Sequence, residues 1–272
     1  MITGFQNLHT HTTYCDGTLS VEKMIKAAIE REGGSIGFSE HSYVPFDEKY
    51  SMKLDDTPSY INDINKLKEK YKGTIDVYLG LEIDYFTDKI PDGLEYIIGA
   101  VHHVEKDGRY ITVDGWAEHL IKMNEEYFSG DFYAMAESYY ETVAKVVPKT
   151  NADIVGHFDL IAKNNIDGNL FDESHPRYIS AALDSMEQVL KECKLFEVNT
   201  GAMFRRGKSV PYPSVSLLKE LQKRGGEVIM ASDSHNADSL YFKFNEMVDL
   251  IKFCGFKYIK RFTKDGFVDE KL

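Results

Sequence analysis

Short apolar runs alternate with longer amphipathic stretches along the whole chain. The runs fall at approximately Phe5–His9, Ser35–Ser39, Thr74–Ile83, Leu94–Val101, Ala152–Gly156, Leu195–Asn199 and Glu227–Ala231, and a later one, FKYIKRF, opens at Phe256. The stretches between them carry helix-type ends. Ser20 is placed to cap VEKMIKAAIERE, which stops at Gly33-Gly34. Thr57 is placed to cap a helix that opens with Pro58, where a missing N–H costs nothing, and ends at Gly73. Asp131 caps FYAMAESYYETVAKVV, which Pro148 follows, and Ser214 caps VSLLKELQKR, closed by Gly225-Gly226. Strands alternating with helices predict βαβ units and a parallel sheet, an α/β fold. Seven or eight such units with no Pro/Gly/Ser linker predict a closed barrel in one domain over residues 1–272. Residues 106–128 break the alternation and read as a lid-like insertion: GRYITVDG predicts a hairpin, and a helix follows around Trp116–Tyr127.

Composition narrows the function classes. The 272 residues are 43% hydrophobic and 28% charged, with no run near the roughly 18 apolar residues of a membrane span. The opening MITGFQNLHTH has neither a basic region nor an apolar signal core, so a cytoplasmic location is expected. Cys15, Cys193 and Cys254 are scattered and form no CxxC pair. A net charge of −12 argues against a nucleic-acid partner, which needs clustered Lys and Arg. It leaves room for one small phosphate ester held by metal ions.

The chemistry-bearing residues sit where the apolar runs end. In NLHTHTTYCDG, His9 and His11 are two apart and face one side of an extended chain, with Asp16 close behind. His41 lies just past the second run, Glu82 near the end of the third, His102 past the fourth and His157 past the fifth. Asp233 and His235 follow the seventh. In a parallel barrel all these ends gather on one face, where catalytic residues collect. A single histidine after a strand reads equally as a surface or hydrogen-bonded residue; coincidence at six strand ends does not. Six histidines and three carboxylates exceed the needs of one ion, so two or three divalent cations are implied, with Glu82 bridging. Imidazole with carboxylate suits Zn, Fe or Mn. Cys15 reads as a bystander, His119 as a surface helix residue, His175 as a loop or helix-start residue, and His103 as turned away from His102.

HTH at His9–His11, Asp16, EH at Glu40-His41, GLEIDY, GAVHH, GHFDL and SDSH stand in the order of the PHP (polymerase and histidinol phosphatase) family, which this chain resembles from Asn7 to Asn236. GLEIDY, TVDG and NTGAMFRRGKSVPYPS resemble its histidinol-phosphate phosphatase branch. The resemblance implies a distorted (β/α)7 TIM-like barrel with a trinuclear centre at the C-terminal face of its strands. His9, His11, Glu82 and Asp233 would hold one ion, Glu82 with His102 and His157 a second, and Asp16, His41 and His235 the third. It also implies a metal-dependent phosphomonoesterase that hydrolyses L-histidinol phosphate to L-histidinol and phosphate by attack of a metal-bridging hydroxide. Glu82, Asp233, Asp16 and His235 are then the catalytic candidates. Arg205 and Arg206 follow the sixth run and suit a phosphate clamp, Arg205 first; Lys163 is a further positive charge, and Asn199 a floor residue. A PHP phosphoesterase acting on other small esters or phosphotyrosine, and a silent metal-binding domain, are the alternatives.

Overall fold

The computed structural model describes residues 4–272. The chain enters as β1 (Gln6–Asn7), turns through α1 (Val21–Glu30) into β2 (Ser35–Phe38), and passes α2 (Thr57–Tyr71) into β3 (Asp76–Asp84) and β4 (Tyr96–Ala100). It then leaves the sheet as the antiparallel hairpin β5 (His103–Lys106) and β6 (Arg109–Thr112). Helices α3 (Ala117–Phe128), α4 (Phe132–Val143) and α5 (Val146–Thr150) lead back to β7 (Ile154–Val155). The last units are α6 (Pro176–Val189), β8 (Leu195–Asn199), α7 (Gly201–Arg206), α8 (Val215–Lys223), β9 (Glu227–Ala231) and α9 (Phe244–Phe253). A second hairpin, β10 (Tyr258–Thr263) and β11 (Gly266–Lys271), closes the chain.

Seven strands form one sheet in the order β1-β2-β3-β4-β7-β8-β9, and every pair is parallel. The α/β barrel expectation therefore holds, with seven strands and a distorted closure. β9 and β1 meet without a strand ladder, through a parallel bridge of Thr10 with Ser234 at the upper rim. There His11 N donates to Ser234 O (2.8 Å) and Ser234 N to His9 O (3.0 Å).

The strands are buried on both faces because helices cover the outside and side chains fill the inside, which is why their sequences are near-continuous apolar runs. β3 is buried from Val77 to Asp84. Inside the barrel the Tyr96 hydroxyl donates to Leu8 O (2.5 Å), with Phe38 O also within reach at 3.0 Å. Gly80 makes room for that ring: a Cβ there would lie 2.2 Å from it. Outside, α1 turns Val21, Met24, Ile25, Ala27 and Ala28 inward at helical spacing. Burying a side chain such as Met24 or Ile25 stabilises the fold by about 1.5–3 kcal/mol.

The Phe256 segment is not an eighth barrel strand. As β10 it pairs only with β11 and is half-buried, and it plugs the lower end of the barrel. Gln6 Nε2 donates to Phe262 O (2.9 Å) and Phe262 N to Gln6 Oε1 (2.7 Å), tying the plug to β1. Helix ends also differ from expectation in places. Asp131 caps α4 as predicted, accepting from Tyr133 N (2.9 Å) and Ala134 N (3.1 Å). Ser20 and Ser214 occupy the cap positions without a side-chain cap bond, and Asp56, not Thr57, precedes α2. The helix expected to run from Asp131 to Pro148 breaks after Val143. Pro148 falls in the first turn of α5, where an N–H has no helical partner to lose. The predicted hairpin begins earlier than expected, at His103. Among the described residues no helix is long and apolar enough to cross a membrane.

Candidate metal centre

The upper rim collects the histidines. His9 and His11 leave β1, His41 bridges to Glu82 just past β2, and Glu82 itself sits in β3. His102 follows β4, His157 follows β7, and Asp233 with His235 follows β9. Glu82 lies at the centre. Its Oε1 is 2.8 Å from His157 Nε2 and 3.4 Å from His102 Nε2. Its Oε2 is 2.6 Å from His41 Nδ1, 3.4 Å from His9 Nε2 and 3.7 Å from His11 Nε2. Asp233 Oδ1 stands 3.1 Å from His11 Nε2 and 3.7 Å from His9 Nε2. At the outer lip, Asp16 Oδ1 is 3.2 Å from His235 Nε2 and 3.6 Å from His41 Nε2.

These atoms fall into overlapping groups of metal-binding spacing: His9, His11 and Asp233; His11, Asp16, His41 and His235; His9, Glu82 and His157; His41, Glu82 and His102. His102 and His157 thus share Glu82 but take different histidine neighbours, rather than forming one set with it. The donor chemistry fits divalent cations. His9 Nε2, His11 Nε2, His41 Nδ1, Glu82 Oε2 and Asp233 Oδ1 are all buried without a hydrogen-bond partner. Each such orphan costs roughly 1–3 kcal/mol, and five of them turned on one another are reconciled by cations.

Charge in the cluster follows from this crowding. Burial and the neighbouring His41 and His235 push His11 down to about 3, so its imidazole is neutral. Burial works to raise Glu82, yet His9, His41 and His102 hold it well below the usual carboxylate range. Asp233 is likewise held down, against burial, by Arg205 and His9. Its backbone is left-handed, φ +49°, a strained position for a residue with a side chain. Arg205 braces it: NH1 donates to Asp233 O (2.6 Å) and NH2 to Asp233 Oδ2 (2.7 Å).

A cleft of about 160 Å³ opens onto the cluster, with Arg205, Lys163, Asp114 and Tyr50 among its walls. Arg205 and Lys163 therefore reach the cleft. Arg206 does not line it; its guanidinium stacks over the Trp116 ring at 4.0 Å. Asn199 is fully buried below, donating from Nδ2 to Glu197 (2.9 Å) and accepting from Gly201 N (2.8 Å). His119 is exposed on α3, and His175 caps α6, its Nδ1 accepting from Arg177 N (3.2 Å). His103 turns from the cluster toward Asp47 (3.3 Å). Cys15 is closer to the site than a bystander, its thiol 2.7 Å from Glu40 and 3.5 Å from His11 Nδ1.

Residues behind the cluster escaped the sequence reading. Glu197 Oε1 is 2.7 Å from His9 Nδ1, and its Oε2 accepts from His157 N (3.1 Å) and Asn199 Nδ2. Asp84 Oδ2 is 3.0 Å from His102 Nδ1. A carboxylate at Nδ1 keeps the proton there and leaves Nε2 as a lone pair facing Glu82. A signal for both was present: a charged residue inside an apolar strand, two positions from another inward-facing polar residue. Asp114 and Tyr50 had no such signal.

The comparisons with known proteins bear on this arrangement. The PHP domain family matches residues 7–201. A "Probable histidinol-phosphatase" of Deinococcus radiodurans is 27% identical over 265 residues, covering 93% of this chain and 95% of that protein. The histidinol-phosphatase of Bacillus subtilis is 24% identical, covering 89% and 97%. The crystal structure of histidinol phosphate phosphatase from Lactococcus lactis, complexed with zinc, L-histidinol and phosphate, has a TM-score of 0.68 at 23% identity. It covers 97% of this chain and 98% of that one, and shows a shared fold. With the family match spanning well over half its length, the chain belongs to the PHP domain family.

Proposed function

We propose that this chain is a metal-dependent phosphomonoesterase that hydrolyses L-histidinol phosphate to L-histidinol and phosphate. The observation that carries the reading is the set of five buried lone-pair atoms facing one another at the foot of a small cleft that also holds Arg205 and Lys163. Relatives bearing the histidinol-phosphatase name align over nearly their whole length, which supports the choice of substrate. His9, His11, Asp16, His41, Glu82, His102, His157, Asp233 and His235 are the ligands in this reading, for two or three Zn, Fe or Mn ions. Such cations supply an acidified water and neutralise charge that develops on the phosphoryl oxygens.

The chain's own groups do the rest. Glu82, central to both halves of the cluster, fixes the spacing of the imidazoles. Asp233 is held by Arg205, and His235 and Asp16 shape the solvent-facing lip. Arg205 and Lys163 place positive charge where a phosphate dianion enters, and Asn199 stiffens the floor through Glu197 and Gly201. The cleft is small and the net charge is −12, so a nucleic-acid strand is not the substrate of this reading. Three free cysteines accord with a cytoplasmic setting.

The test is metal analysis of the purified protein together with phosphate release from L-histidinol phosphate and from p-nitrophenyl phosphate. Chelator-sensitive release with a strong preference for histidinol phosphate is expected. Equal rates on both esters would replace the reading with a broad phosphoesterase, and bound metal without any hydrolysis with a silent binding domain.

A further inference from the structure

Three carboxylates line the cleft: Asp16, Asp114 and Asp233. Asp16 and Asp233 stand among the histidines at metal-binding spacing, whereas Asp114 belongs to no such group. Asp114 does not come from the barrel. It lies just past β6, at the tip of the insertion, and that tip is pinned over the rim from two directions. Lys163 Nζ donates to the Asp114 carbonyl (2.9 Å) and to its Oδ1, and Asn164 Nδ2 donates to Gly115 O (2.9 Å). Arg206 covers Trp116 from the α7 side.

The carboxylate is not needed for that latch, since Lys163 also holds the backbone. It works against the cleft's other task as well: an anion beside Lys163 and Arg205 weakens the attraction of both for a phosphate dianion. A negative group in this position is explained by a substrate that brings a positive one. Lys163 occupies Oδ1, and about a third of the Asp114 side chain remains open to solvent, leaving Oδ2 to accept from a ligand. Among the other walls, the Tyr50 ring lies 4.8 Å from that of His41, and its buried hydroxyl has no partner. It is a second polar contact left open for the organic part of a substrate.

We propose that Asp114 is the specificity-determining residue of this cleft and binds the ammonium group of an amino-alcohol phosphate ester. The proposal rests on the histidinol-phosphatase reading and adds which residue selects the amine. The barrel rim serves the phosphate, and the insertion serves the amine.

The experiment compares wild type, Asp114→Asn and Asp114→Glu holoenzyme on L-histidinol phosphate and on the same imidazolyl alcohol phosphate without the amine. Removing the charge from a buried ion-paired contact is expected to lower kcat/KM on the amine ester by roughly 10- to 100-fold, mainly through KM. The loss on the amine-free ester should be at least tenfold smaller, and Asp114→Glu should restore most of the preference. Calorimetric binding of L-histidinol should weaken by a similar factor in Asp114→Asn, while inorganic phosphate binds as well or better. Equal losses on both esters, or an unchanged preference, would overturn the inference and leave Asp114 as a latch. A wild type that releases phosphate from neither ester would instead defeat the histidinol-phosphatase reading and this inference with it.

Discussion

Glu197→Gln is the sharpest probe of how the cluster is built. The carboxylate meets three donors: His9 Nδ1 at 2.7 Å, His157 N at 3.1 Å and Asn199 Nδ2 at 2.9 Å. A carboxylate accepts from all three; an amide has one oxygen and one NH2 group. If the oxygen stays with His157 and Asn199, the NH2 faces His9 and forces the proton from Nδ1 to Nε2. The lone pair at the candidate metal position is then lost. If the oxygen stays with His9, two donors face the NH2 instead. Either way at least one charge-assisted bond goes, worth about 1.5–3 kcal/mol, which is 10- to 100-fold in metal affinity, the range typical of groups behind metal-bound histidines. The residue is 1% exposed, so solvent cannot compensate. The assay is zinc competition against a chelator of known affinity, with 15N chemical shifts of His9 reporting the tautomer. A Glu197→Gln protein that holds zinc within twofold of wild type, with its Nδ1 proton in place, would refute the reasoning.

Other consequences can be measured on the same protein. Stripping metal with a chelator should lower the melting temperature by several degrees and restore it on adding back zinc, because cations that bind only the folded state stabilise it; an unchanged melting curve would mean the orphaned atoms are satisfied otherwise. Tyr96→Phe removes the hydroxyl from Leu8 O and should cost about 1–2 kcal/mol by urea denaturation, with little effect on metal content. Asp131→Ala removes a cap with two backbone acceptor contacts and should cost about 1 kcal/mol, read in the same titration; its exposed pair with Arg177 adds little.

Much of the architecture was legible because barrel strands are buried on both faces and read as apolar runs. Leu195–Asn199 and Glu227–Ala231 match β8 and β9 residue for residue. The Phe256 run misled because an apolar count does not separate a buried parallel strand from a half-buried hairpin, whereas its interleaved Lys260 and Arg261 do. The helix break before Pro148 depends on packing that no cap residue announces. At the site, the candidate ligands were visible because strand ends converge in a barrel. Arg206 was not separable from its neighbour: one residue turns a helical side chain by about 100°, here from the cleft to Trp116. Asp114 was illegible because its position depends on Lys163 and Asn164 reaching back to a hairpin far along the chain.

The join between β9 and β1 has a further implication. Every other neighbouring pair in the barrel is zipped by a ladder, but this one is fastened by Thr10 and Ser234, the residues lying between His9 and His11 and between Asp233 and His235. Fastener and cage are therefore the same short segments. Deuterium should enter the amides of His11 and Ser234 faster once the cations are removed, so that the cylinder loosens along this single line while its other staves stay shut.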